Sequence, residues 1–193
     1  MYVYLHGFNS SGASAKGAYL AKALAPDTVL TPSYPPDPDH AIQSLNQLLN
    51  QLRDTAPILI GSSLGGYYAQ YLSQQRQLSI VLINPALEPQ QTLAPYLGWQ
   101  TNYYSGERYW FGQAQLDALA RYAVSEPCTG SAARLLLLDS GDELIDYRVA
   151  ASRYAACAEL IIYPDGNHQF AHLPEAALAI RTFREKLRSN PQI

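Results

Sequence analysis

A chain of 193 residues, 48% hydrophobic and 15% charged, has the length and composition of one globular domain. Its formal net charge of −3 offers no basic face, so nucleic acid is not an expected partner. No window approaches the apolar length a membrane span needs, and two cysteines are too few for a disulfide scaffold.

The first seven residues carry neither a basic region nor an adequate apolar core, so no signal peptide is expected and a cytoplasmic location is. Tyr2-Val3-Tyr4-Leu5 reads as a strand, and it ends in the small-residue loop His6-Gly7-Phe8-Asn9-Ser10-Ser11-Gly12. A helix over 15–25, a strand over 28–31 and a proline-rich loop over 32–38 follow. Asp37-Pro38 is a helix start, a capping acid before proline, and Ile42, Leu45, Leu48, Leu49 and Leu52 then recur at helical spacing. Ile58-Leu59-Ile60 is a short buried strand that runs directly into Gly61-Ser62-Ser63-Leu64-Gly65 and a helix over 64–73. Another apolar strand, 78–83, stops at Asn84-Pro85.

From 86 to 133 the alternation breaks. This stretch holds Trp99, Tyr103, Tyr104, Tyr109, Trp110 and Phe111 among Gly, Asn, Gln and Ser. Regularity resumes with a strand over 134–139, a helix over 146–156, a strand over 159–163 and a helix over 174–187. Short apolar strands separated by helices imply a mostly parallel sheet with helices on both faces. The expected architecture is a single α/β domain over 1–193, with 86–133 as a small cap insertion.

Gly61-Ser62-Ser63-Leu64-Gly65 matches G-x-S-x-G, and strand, abrupt turn and helix are the context of a nucleophile elbow. There a strained serine stands above the sheet, and glycines two positions either side clear the crossing strand and helix. Ser63 is therefore the candidate nucleophile. A serine nucleophile needs a base, and the base an orienting acid. Of four histidines, His168 lies in the loop after the final strand and is the candidate base, with His172 the alternative. Among Asp139, Asp142, Glu143 and Asp146, Asp142 is best placed. Asp139 belongs to the strand end, and Asp146 reads as a helix cap. The expected oxyanion donors are the backbone N–H groups of Leu64 and Phe8.

The motifs Tyr4-Leu5-His6-Gly7-Phe8-Asn9-Ser10-Ser11, Gly61-Ser62-Ser63-Leu64-Gly65-Gly66-Tyr67-Tyr68, Asn84-Pro85-Ala86, Gly141-Asp142-Glu143 and Gly166-Asn167-His168 resemble the small bacterial esterases of the YqiA type, a UPF0227-like group within the α/β-hydrolase superfamily. The similarity runs from about residue 2 to residue 187. It implies a minimal α/β-hydrolase fold, esterase activity on simple acyl esters, and no cofactor or metal. Its serine falls on Ser63, its acid on Asp142 and its histidine on His168.

The expected partner is a small-molecule ester, with no membrane and no obligate protein partner. Trp99, Tyr104, Trp110 and Phe111 are the expected pocket walls, favouring short acyl chains. A thioesterase, a carbon–carbon bond hydrolase or a non-catalytic binding protein on the same fold are the alternatives. Cys128 and Cys157 lack CxxC spacing and read as two reduced, packed thiols.

Overall fold

The structure, a computed structural model, describes residues 1–189. In chain order the elements are β1 (Tyr2–Leu5), α1 (Ala15–Ala23), β2 (Val29–Leu30), α2 (Pro38–Gln51), β3 (Ile58–Ser62), α3 (Leu64–Arg76) and β4 (Ile80–Ile83). After these come α4 (Pro89–Leu93), the strands β5 (Gly98–Thr101) and β6 (Arg108–Phe111), and α5 (Gln113–Ala118). The chain continues through β7 (Arg134–Asp139), α6 (Tyr147–Tyr154), β8 (Glu159–Tyr163) and α7 (Leu173–Ser189).

The main sheet has six strands in the order β2-β1-β3-β4-β7-β8, every neighbouring pair parallel. Successive residues of its strands face opposite sides, so each apolar strand feeds two cores at once. On one side Val3, Leu5, Leu59, Leu82, Leu136 and Leu138 pack against α2, α3 and α6. On the other, Tyr4, Ile58, Ile60, Val81, Leu135 and Leu137 meet Leu20 of α1, Leu24 at its C-terminal cap, and Ile180 and Phe183 of α7. This is the mostly parallel sheet with helices on both faces expected from the alternating pattern.

The helix starts follow their local chemistry. Ser14 caps α1 by accepting from the Gly17 amide, and the Asp37 carboxylate caps α2 by accepting from Asp39 and His40, with Pro38 at the first position. Between β4 and β7, residues 86–133 hold α4, the antiparallel hairpin β5–β6, and α5. Phe111, Leu116 and Leu119 from this stretch are buried in the α2–α3 core, so the insertion is rooted in the domain. No helix among the described residues is long and apolar enough to cross a membrane.

One expectation is overturned here. Cys128 and Cys157 are not separate thiols; they form a disulfide whose Cα atoms lie 5.4 Å apart, across 29 residues of chain. Each lies in a connection, one just before β7 and the other between α6 and β8, and the β7–β8 pairing brings these connections together. Closing a loop of that length restricts the unfolded chain by about 3–4 kcal/mol.

Candidate active site

The parallel sheet delivers its loops to one edge, and three of them meet there. The first is the turn from β3 to α3. Ser63 takes φ 54° and ψ −124°, a conformation costing a non-glycine residue about 1–3 kcal/mol. It is held by main-chain hydrogen bonds, its N–H donating to Ile83 and its carbonyl accepting from Ala86. The glycines of the motif are needed for contact. A Cβ on Gly61 would lie 2.4 Å from the Gly65 carbonyl oxygen, and one on Gly65 would lie 2.1 Å from that of Leu5. The elbow thus folds tightly against the end of β1.

The second loop follows β7 and carries Asp142. Its side chain is buried, 1% exposed, and Oδ1 accepts from the amides of Leu144 and Ile145 at 2.9 Å each. The third follows β8 and carries His168. Its Nδ1 lies 2.9 Å from Asp142 Oδ2, and its Nε2 lies 3.0 Å from Ser63 Oγ. With the Nδ1 proton directed at the carboxylate, Nε2 is left to accept the serine hydroxyl proton. The structure therefore brings Ser63, His168 and Asp142 into one hydrogen-bonded line, and places Asp146 on the next helix as its cap.

Several residues support this line in roles that the sequence reading did not assign them. Glu143 Oε2 accepts from the His168 amide at 2.9 Å. Asp139, fully buried, accepts from the amides of Asn167 and Ala171 and pairs with His172 Nδ1 at 2.7 Å. Asn84, at φ 40°, accepts from the Asp139 amide and donates to the Asn167 carbonyl. Together they fix both ends of the loop that presents His168. Their signals in the chain were the Gly-Asp-Glu and Asn-Pro motifs and, for Asp139, its place at the strand end.

The loop after β1 forms the floor. Phe8 and Leu64 line the site, and among the described residues neither backbone N–H donates a turn or cap hydrogen bond to another backbone group. His6 stacks on Tyr34 with ring centroids 4.0 Å apart, and the Tyr34 hydroxyl donates to the His6 carbonyl at 2.5 Å. Burial pulls the His6 imidazole below its ordinary value, which keeps it neutral near pH 7.

Above these groups lies a cleft of about 1170 Å³, lined by Ser63, His168 and residues of the insertion that include Leu93, Tyr96, Tyr103 and Tyr104. Three of the four expected walls are elsewhere. Trp99 and Trp110 pair across the hairpin, edge to face at 5.8 Å, and are 63% and 57% exposed. Phe111 is in the core beneath the loop after β1, where it meets Phe8 edge to face at 5.0 Å. The hairpin alternates its faces, so aromatics adjacent in sequence part company, and only Tyr104 of the four lines the cleft. Among the described residues, no group of three or more His, Cys, Asp or Glu side chains is placed to hold a metal ion.

Comparison with known proteins agrees with this geometry at the level of family and fold. Residues 1–185 match the family described as "Uncharacterised protein family (UPF0227)". A UPF0227 protein from Shewanella woodyi is 27% identical over 191 residues, covering 96% of this chain and 99% of that protein. Among solved structures, Est1E from Butyrivibrio proteoclasticus superposes with a TM-score of 0.78 at 14% identity, covering 97% of this chain and 87% of its own. The esterase domain of a Rhodothermus marinus protein gives 0.70 at 18%, covering 97% and 86%.

Proposed function

The chain belongs to the UPF0227 family, and from that premise and the geometry of its own cleft we propose that it is a serine esterase acting on carboxylic esters. The observation that supports this most is the line from Asp142 through His168 to a strained Ser63. In this reading Ser63 Oγ attacks the ester carbonyl while His168 Nε2 takes its proton. The Phe8 and Leu64 amides stabilise the oxyanion of the tetrahedral intermediate. Collapse expels the alcohol, which receives the proton from His168 and leaves an acyl-Ser63 ester. Water, deprotonated by His168, then releases the acid and restores the serine. Asp142 holds the imidazole tautomer throughout and stabilises its charged form.

On the acyl side the proposal remains short, freely soluble chains, because Gln91, Thr92, Glu143 and Gln169 interrupt the apolar lining of the cleft. Two measurements test the reading. A fluorophosphonate probe should label Ser63 and leave its neighbour Ser62 unmodified by peptide mapping. Along p-nitrophenyl esters from acetate to palmitate, kcat/KM should peak at the short end. Label on Ser62, or a folded protein that neither labels nor hydrolyses any of the series, would overturn it.

A further inference from the structure

We propose that Lys16 makes the cleft selective for esters that carry a free carboxylate, by pairing its ammonium with that group; the proposal rests on the esterase reading of Ser63. Lys16 lies in the first turn of α1 and lines the same cleft as Ser63 and His168. Its Nζ donates to Ser62 Oγ at 2.7 Å, the residue beside the candidate nucleophile. Among the described residues that hydroxyl is its hydrogen-bond partner, and no carboxylate pairs with it.

The placement is unfavourable on two counts. The cation faces the positive end of a helix dipole, and α1 has no acidic residue in its first turn to offset it. Withdrawal from water adds to this. Burial draws the ammonium down to about 8, with Asp139 and Asp142 partly opposing the shift from a distance. Bracing the Ser62 hydroxyl does not require a charge, since a neutral amide could donate to it equally well. A cation held at such a cost beside a reactive group is what a site for an anionic ligand looks like.

The ligand's class follows from the count of charges. The α1 end of the cleft offers one cation, with the hydroxyl of Tyr104 beside it, accepting from the Ala15 amide at 3.3 Å. Glu143 also lines the cleft. A singly charged carboxylate matches this arrangement, whereas a phosphate dianion would bring a second negative charge, with no cation to meet it, into a cleft that Glu143 lines.

The test compares mono-p-nitrophenyl adipate with p-nitrophenyl hexanoate, equal in chain length but differing by a terminal carboxylate. In Lys16→Met and in Lys16→Gln the ratio of the two kcat/KM values should fall about ten- to a hundredfold from wild type, the worth of a charge-assisted hydrogen bond. A bracing role would lower both substrates together, and the Gln variant would restore them. A ratio unchanged in both variants, with both esters still hydrolysed, overturns the proposal and leaves the esterase reading standing. Binding of monomethyl adipate and methyl hexanoate to the Ser63→Ala protein, by calorimetry, separates the two ideas. A Lys16-dependent preference for the acid there, without turnover by wild type, would sink only the esterase reading. Equal binding of the two to Ser63→Ala would defeat the carboxylate proposal even if the Lys16 variants failed to fold.

Discussion

Two carboxylate–imidazole pairs stand side by side at the edge of the sheet, and they share almost everything except an outcome. Asp142 meets His168 at 2.9 Å and Asp139 meets His172 at 2.7 Å; in both pairs the carboxylate is buried and the ring contributes Nδ1. The difference lies on the far side of each ring. His168 turns Nε2 to Ser63 Oγ, whereas His172 stacks flat on Tyr163, with centroids 4.9 Å apart. Asp139 also takes two backbone amides from the loop that carries His168. An Asp–His pair is equipped for proton transfer only where its second nitrogen faces a nucleophile. The other pair is a clasp, and the loop it clasps is the one that positions the first.

This contrast can be broken or sharpened by substitution, beginning with the largest effect. Ser63→Ala should lower ester hydrolysis by about a millionfold and move the thermal midpoint by no more than a few degrees. Steady-state kinetics beside a melting curve checks both; retained turnover would remove Ser63 from the first pair altogether. Asp142→Asn should come next, at about ten-thousandfold in kcat, since an amide favours the wrong imidazole tautomer. Near-normal turnover in Asp142→Asn, with loss in Asp139→Asn instead, would exchange the roles of the pairs.

Asp139→Asn should read out chiefly as stability. An amide cannot accept from two amides and a ring N–H at once, so unfolding in urea should be easier by about 2–4 kcal/mol. Turnover of the folded fraction should fall no more than about a hundredfold, through misplacement of His168. The smallest effect is expected for His172→Phe, which keeps the stacking on Tyr163 but gives up one hydrogen bond. It should lose about 1 kcal/mol of stability and change kcat/KM only severalfold. A loss as deep as that of Asp142→Asn would show that the clasp takes part in the chemistry.

The first pair was legible in the chain and the second was not. Strand ends can be read from apolar runs, and in a parallel sheet the loops after them converge, so Ser63, Asp142 and His168 could be placed near one another from order, with His172 left as the alternative histidine and the resemblance favouring His168. Asp139 was rightly set at the end of β7, but nothing local tells that its carboxylate faces the β8 loop and claims His172. The disulfide escaped for the same reason, because its partners are neighbours only after β7 and β8 pair. Strand β2 is a smaller case: 28–31 was expected, and only Val29–Leu30 pairs at the sheet edge. In the insertion, the aromatic residues were counted but the hairpin was not seen. Without its register, the outward pair Trp99 and Trp110 could not be told from Tyr104, which lines the cleft.

Among the residues that fasten the hairpin to the loop after β1, buried Asn9 makes several contacts at once, and Asn102 Nδ2 adds another by donating to the Ser10 carbonyl at 2.7 Å. The Asn9 side chain donates to Gln100 Oε1 at 3.0 Å and accepts from the Tyr109 hydroxyl at 2.5 Å, while its carbonyl accepts from the Tyr103 amide. Those partners lie about a hundred residues further along the chain, and Asn9 takes φ 55°, a conformation Asn adopts more readily than most residues. Contacts of such separation close late in folding, after nearer ones have repaid their entropy. The placement of the Phe8 amide is therefore tied to the docking of a hairpin about a hundred residues away along the chain. In a refolding experiment the helical signal should return before hydrolytic activity does, and the interval between them would time the arrival of the hairpin.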